Sequence, residues 1–402
     1  MFIKGIAVLI TLVIASYSHA EEKGNSATEY TITLDTISSG YDGETCWVHP
    51  RAGTIPGEKP IVVLTMQKLL LSGSDIFYAL NEMRTDDLGK VWDEPKQHSN
   101  LGRRPKDFGS TSVVCDFTPM WHAPTKKLLG TGHSAMYNDK NRLIHNPPRE
   151  TAYAVYDPDK RTWTTWRGLN MPDDPIFYNS GAGSTQRVDL PNGDILLPIY
   201  CKAKEGVPYS TTVIRCRFDG DVLSYVEHGN IMTVDIQRGF VEPSLAHVGG
   251  RFFLTIRNDE SGYVTSSADG LHYDTPQKWT FDDGGELGSY NTQQHWVTHG
   301  DTLYLVYTRR GADNDHVFRH RGPLFIAEVD QENLQVIRAT ERVLVPERGA
   351  RLGNFAVTKV TANETWISVA EWMQRNGPDY VIPVDNAMGA DNSVYIARLK
   401  WK

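Results

Sequence analysis

The chain has 402 residues, 41 Lys and Arg against 49 Asp and Glu, a formal net charge of -8, 40% hydrophobic and 22% charged residues, which excludes a disordered tail, a collagen-like fibre and a multi-span membrane protein. Its charge carries no basic stripe, so nucleic acid is excluded as a partner and any anionic ligand must be held by a local cluster. The 34 Gly, 21 Pro, 18 Tyr and 10 Trp are a load of turn formers and rigid aromatics, the composition of many short strands joined by tight turns.

The first element is a leader. Lys4 supplies a positive start, Ile6 to Ala15 an apolar run too short to span a bilayer, and Ser18-His19-Ala20 a small-x-small site, so residues 1–20 read as a signal peptide cleaved after Ala20. Export to the periplasm or the medium follows, with residues 21–402 as one domain and no membrane partner. Cys46, Cys115, Cys201 and Cys216 are widely scattered and are expected as buried free thiols. No CxxC or HExxH spacing occurs, so no metal ligands are predicted. No cofactor is required; a structural calcium in a central channel is left open, without a dedicated acidic loop for it.

Thr85-Asp86-Asp87-Leu88-Gly89-Lys90-Val91-Trp92 fits the T-x-D-x-G-x-x-W form of the Asp-box, and Ser267-Ala268-Asp269-Gly270-Leu271-His272-Tyr273 is a shortened version. In such a turn the Asp side chain accepts backbone N–H groups and Gly takes a conformation other residues avoid. Turns starting at Pro124, Pro191, Val248, His299 and Ala362 each precede an alternating strand, the pattern of recurring hairpins. A second signature, a strand running into an acidic turn, recurs at Tyr153 to Trp163, Cys216 to Leu223 and Ile326 to Leu334. One hairpin plus one closing pair makes a four-stranded sheet. The expected fold is therefore all-β, a single β-propeller with Asp-box-like turns, and dividing roughly 380 mature residues by a repeat of about 50–60 makes seven blades the first expectation and six the second.

Ligands of propellers bind where strand ends and loops converge on the axis. In Thr45-Cys46-Trp47-Val48-His49-Pro50-Arg51, Trp47 offers a stacking plane, His49 a proton donor and Arg51 a carboxylate clamp. His133 ends the strand Leu128-Leu129-Gly130-Thr131-Gly132-His133, and Tyr200 ends Ile195 to Tyr200, with Arg215 on the next strand. Together His133, Tyr200 and Arg215 suit removal of the C5 proton of a uronic acid: Arg215 neutralises the carboxylate and lowers the Tyr200 pKa, while His133 and Tyr200 move protons. Arg187, Arg257, His295 and Asn354 are further polar points next to strands. Arg309, Arg310, His316, Arg319, His320 and Arg321 form a basic run suited to carboxylate or sulfate. Trp47, Arg51, Arg187, Arg257, His295, Arg309, Arg310, Arg319 and Asn354 are the expected substrate contacts.

The succession CDFTPMWH (Cys115 to His122), LLGTGHSAMY, TAYAVYDP, QRVDLPNGDILLPIY, EPSLAHVGGRFFLTIRND and GARLGNF resembles the seven-bladed propeller enzymes that attack rhamnose–uronate linkages. These are ulvan lyases, rhamnose–glucuronate lyases and the α-L-rhamnosidases of arabinogalactan degradation, within the sialidase-like propellers. The resemblance implies a lyase site at His133, Tyr200 and Arg215, cleaving rhamnose–glucuronate linkages of an acidic glycan by β-elimination. Those lyases also use a second His, for which this chain offers only His145 in a loop, with Glu150 and Tyr153 nearer the strand. The alternative it implies is an α-L-rhamnosidase acting through His49 on the opposite face. The third reading is a non-catalytic glycan-binding propeller. An acidic polysaccharide or oligosaccharide is the expected partner, and a monomer the expected state.

Overall fold

A computed structural model describes residues 29–71, 75–205, 208–375, 382–383 and 386–402. Residues 1–20, expected from the sequence as a signal peptide, lie outside the described residues. No α-helix occurs among them, and none of their helices is long and apolar enough to cross a membrane.

Six antiparallel sheets of four or more strands make six blades of one β-propeller, so the second expectation holds and the count of seven is corrected to six. The innermost strands are Thr45–Ile55, Thr111–His122, the interrupted pair Asn179–Gly181 and Val188–Asp189, Val241–Val248, His295–His299 and Ala356–Thr361. Each of the five recurring turns seen in the sequence joins an innermost strand to the second strand of its blade, in blades two to six. Pro56 to Pro60 does the same in blade one. The repeat is longer than the arithmetic assumed because connections such as 164–178 and 308–323 carry residues that an average repeat assigned to a seventh blade.

Asp turns close the third strand onto the fourth in five blades. In the Asp-box of blade one, Asp87 Oδ1 accepts from Lys90 N at 2.9 Å and Val91 N at 3.1 Å, Gly89 sits at φ 76°, and Trp92 packs on Trp366 of blade six. Asp269 does the same for Leu271 N and His272 N in blade four. Asp157, Asp219 and Asp330, the acidic turns of the second signature, accept backbone N–H groups in blades two, three and five. In each case the short carboxylate satisfies orphan donors that the turn would otherwise leave unpaired.

The ring closes in blade six. The first described strand, Tyr30–Ser38, pairs with the last, Val394–Trp401, from Tyr30↔Trp401 onward, and Arg398 Nε holds Asp35 Oδ2 at 2.5 Å. This pairing removes the exposed edge that an outer strand would present. Blades pack on one another through aromatic and aliphatic faces, as where Trp279 of blade four meets Trp296 of blade five at 5.7 Å between ring centroids. The four cysteines are buried and free, as expected.

Because strands alternate in direction, the hairpin turns and Asp turns all lie on one face. The connections from second to third strand and from blade to blade lie on the other. The long loops are therefore gathered on the face where innermost strands begin.

Candidate functional site

On that long-loop face a polar cavity of about 250 Å³ sits over the axis. Its walls are built by a repeated backbone device. His49, Asp116 and Glu242 take positive φ of 53°, 52° and 47° near the start of the innermost strands of blades one, two and four. Each lies in a register break: Val48/Arg51, Cys115/Thr118 and Val241/Ser244. Ser184 and Asn291 take φ of 58° and 52° at the equivalent places in blades three and five. A left-handed non-glycine residue costs of order 1–3 kcal/mol, and a bulge re-aims a side chain that regular pleating would direct elsewhere. Here the bulges aim functional groups at the axis.

Asp116 is the hub. Its Oδ1 accepts from Ser184 Oγ at 2.8 Å and Arg51 Nη2 at 3.1 Å. His49 Nδ1 stands 3.4 Å from Oδ1 and His133 Nε2 stands 3.5 Å from Oδ2. Burial works against this carboxylate, but His49, His133 and Arg51 outweigh it and hold its carboxyl well below the usual range. His133 Nδ1 meets Tyr200 OH at 2.8 Å, and Arg149 Nη1 donates to the same phenolic oxygen at 2.9 Å. On the other side of Asp116, Asn354 Nδ2 lies 2.8 Å from His49 Nε2. The imidazole of His133 fits only because glycine lies over it: a Cβ on Gly183 would stand 1.8 Å from His133 Nδ1.

Burial lowers the pKa of His133 strongly, with Arg149 adding to the effect and Asp116 opposing it, and burial also lowers that of His49. Burial raises Tyr200 well above the ordinary phenol, against the pull of Arg149. The resting site is thus a neutral imidazole facing a protonated phenol, which corrects the expectation of a Tyr200 brought down by a neighbouring cation. A stability consequence follows with a definite sign. Above pH 6.5 the histidines are neutral in both states; below it the unfolded chain takes up protons that buried His49, His133 and His295 resist, so stability falls with pH from about 6.5 down to their folded values. Thermal midpoints measured at pH 7.5, 6.5, 5.5 and 4.5 should fall progressively below pH 6.5, and His133→Gln should flatten that slope.

His133 and Tyr200 are together as expected, but Arg215 is not with them. Tyr200 pairs with Thr211, whereas Arg215 pairs with Leu196, about 13 Å further along the sheet at ~3.3 Å per residue. Arg215 instead holds Glu227 at 2.6 Å and Asp194 at 3.7 Å. Arg149, from the loop before the third strand of blade two, takes its place. His49 is also relocated: it shares Asp116 with His133 on one face, so the two candidate sites are one site. Glu150 pairs with Lys106 at 2.9 Å, and the second imidazole near His133 is His49.

Of the expected contacts, Arg257, Arg319 and Asn354 line the cavity. Arg51 lies beneath its floor, fully buried. Trp47 packs between blades one and six, under Lys68. Arg187 is buried against Asp189 and the carbonyls of Leu129 and Met120, beside a second cavity of about 710 Å³ on the short-turn face. His295 is buried on Ser244 Oγ at 2.7 Å. Arg309 holds Glu341 and Arg310 holds Glu286. His316 and His320 bond separate carboxylates, Glu347 and Asp315. The cavity is also lined by Arg149, Arg238, Arg321, Arg351, Asp75, Glu242 and Gln374, with Phe77, Ala135, Leu143, Phe318 and Trp372 as its apolar part; of these, Arg321 stood out among the polar residues of the sequence.

Cys115, Asp116 and His133 present donor atoms within 4.8 Å of one another. Since Ser184 and Arg51 already occupy Asp116, the set reads as a hydrogen-bond network and not as a metal centre. The axis below it, lined by Arg51 and His295, is a poor setting for calcium.

No family model matches the chain, and no curated protein matches it. Solved structures do. A Dyadobacter fermentans protein of unknown function matches with TM-score 0.61 and 14% identity over 92% of this chain and 99% of that one. The Hadza microbial sialidase Hz136 matches with TM-score 0.57 and 12% identity over 88% of this chain, and Trypanosoma rangeli sialidase with TM-score 0.57 and 13% identity over 92%. The chain spans 65% and 59% of the length of those two sialidases. At such identity the likeness speaks for the fold alone: this chain is a six-bladed β-propeller, a fold similar to that of these sialidases.

Proposed function

We propose that the protein is an exported carbohydrate-active enzyme that cleaves an acidic glycan by β-elimination at a uronate, with rhamnose–glucuronate the linkage implied by the sequence resemblance. The observation that carries this reading is the chain Arg149–Tyr200–His133, with contacts of 2.9 and 2.8 Å, on the wall of a cavity rich in arginine. Neutral His133 is ready to accept the C5 proton and protonated Tyr200 to supply one to the leaving O4. The C5–H and C4–O4 bonds break, a C4–C5 double bond forms, and O4 leaves as a hydroxyl. Asp116 faces the imidazolium that results, and Arg149 faces the phenolate. Returning the proton from His133 to Tyr200 across their hydrogen bond restores the resting state. Arg149, beside the reacting centre, also neutralises the uronate carboxylate as the enolate-like intermediate builds.

Hydrolysis by a carboxylate pair is less well served. A glycosidase of the usual type needs two carboxyl groups at work on the sugar, whereas two of the three carboxylates that line the cavity are committed: Asp116 is held by Arg51 and Ser184, Glu242 is gripped in two contacts of 2.7 and 2.8 Å by Arg257, and the third is Asp75. His49, adjacent to Asn354 in the same cavity, favours the alternative of a rhamnosidase. An acidic sugar suits the fold, since the Trypanosoma rangeli sialidase has been solved with sialic acid. Incubation with rhamnose–glucuronate glycans, ulvan and gum arabic decides between these. Ultraviolet absorbance from the new double bond is expected. Free rhamnose without absorbance would move the chemistry to His49, and neither signal would favour a glycan-binding propeller.

A further inference from the structure

Six arginines line the cavity, and their partners divide them. Arg257 Nη1 is held by Glu242, and Asp259 accepts from both Arg257 and Arg238. The other four, Arg149, Arg319, Arg321 and Arg351, have no carboxylate at ion-pair distance among the described residues. Arg149 belongs to the Tyr200 side. The remaining three come from the opposite wall, from the loop before the third strand of blade five and the loop before blade six.

These three are held chiefly by neutral acceptors and aromatic rings, with Asp75, in the same cavity lining, as a carboxylate whose charge also reaches Arg319 and Arg351. Arg321 donates through Nε to Asn291 O at 3.1 Å, a carbonyl, and is 3% exposed. Arg351 donates through Nη2 to Gln374 Oε1 at 2.8 Å, also a neutral acceptor, while its Nε is buried and unpartnered. Its guanidinium is held between Trp372 at 3.9 Å and Phe318 at 5.1 Å from the ring centroids. Arg319 adopts φ 59° and lies against the Phe318 ring at 4.9 Å. Aromatic faces fix the planes of two guanidinium groups and leave N–H edges for a ligand. Burial pushes Arg351 down to about 9, with Arg319 adding to the effect and Asp75 opposing it; burial also lowers Arg321, helped by Arg257, Arg319 and Arg351, and Arg319, helped by Arg257 and Arg238 against Asp259 and Asp75. An anion bound between these guanidinium groups relieves the repulsion among them.

We propose that the substrate carries a second anionic oxygen group, a sulfate ester or another uronate carboxylate, seated on Arg319, Arg321 and Arg351 across the cavity from the carboxylate at Arg149. This rests on the acidic-glycan reading and adds to it that one charge does not fill the site. It makes the enzyme selective for glycans with charges on neighbouring units.

Inorganic sulfate tests the site independently of catalysis. Calorimetric titration of the full chain should show saturable sulfate binding that weakens about tenfold or more in Arg319→Gln and in Arg351→Gln, the loss expected for a charge-assisted hydrogen bond, and that persists in Tyr200→Phe. Thermal midpoints of the variants show that they fold. Absence of saturable sulfate binding in the wild type would overturn the proposal, as would binding that survives both arginine substitutions but is lost in Arg149→Gln. The same titration with oligosaccharides tells the sources apart. Tighter binding of a sulfated mono-uronate or of a di-uronate than of an unsulfated mono-uronate supports the subsite and names its group, and equal binding of all three overturns it. If sulfate binds as expected but no glycan is cleaved, the subsite stands and the elimination reading fails.

Discussion

Tyr200→Phe and His133→Gln should each lower the elimination rate by about 10²–10⁴, the range that a positioned general acid or base contributes. The effect should fall on kcat more than on KM, because both groups act on protons in flight while the arginines bind charge. The Tyr200 hydroxyl receives Arg149 and meets His133 at 2.8–2.9 Å, so Tyr200→Phe also leaves a buried guanidinium short of a partner and should cost about 1–3 kcal/mol of stability. A thermal midpoint measured beside the rate separates that cost from lost chemistry. The pH profile should have an acid limb below pH 6.5, as His133 must stay neutral, and the Tyr200 limb should lie above the ordinary phenol value of 10.0. His49→Ala should cost less than either. Should His49→Ala alone silence the enzyme while Tyr200→Phe leaves it active, hydrolysis replaces elimination.

Asp116→Asn should be the most damaging single change to the site as a structure. Arg51 is 0% exposed and takes its one ion pair among the described residues from Asp116 at 3.1 Å. Removing one member of a buried pair strands the other, at a cost of about 3–5 kcal/mol. The same change takes the negative charge away from both His49 and His133, so their protonated forms lose their counterion and catalysis should drop with stability. Urea denaturation at pH 7 checks the first part, and a ΔΔG below about 1 kcal/mol would contradict the hub role of Asp116. Arg215→Gln is the matching control: its close partner Glu227, at 2.6 Å, lies on the outermost strand of blade three, Asp194 stands further off at 3.7 Å in the turn before the second strand, and a partly exposed pair contributes little.

Much of this fold was legible along the chain because its determinants are local. A turn residue before an alternating strand, and an Asp that accepts N–H groups two and three positions on, are short-range chemistry repeated blade after blade. Five such hairpin turns were visible at Pro124, Pro191, Val248, His299 and Ala362, and the turn at Pro56 to Pro60 is the sixth. Counting turns leads to six blades; dividing length by an average repeat led to seven, because long loops on one face are not part of any repeat.

The site was legible only where a polar residue closed an apolar run, as His133 and Tyr200 do, although the strands Lys127–Tyr137 and Ile195–Lys202 continue past both. Arg149, Arg351 and Asp116 carry no such mark. Arg149 comes from a loop whose path no periodicity describes, and Asp116 owes its direction to a bulge with φ 52°, a state that plain strand alternation does not foretell. Arg215 misled for the complementary reason: adjacent strands were known, but their register was not, and four positions along a strand separate a catalytic partner from a structural ion pair. The all-β repeat, its Asp turns and two of the proton-handling residues follow from local sequence, since these depend on neighbours within a few positions. The blade number, the union of His49 and His133 on Asp116, and the arginines opposite emerge only on folding, since these depend on ring closure and on where long loops return to the axis.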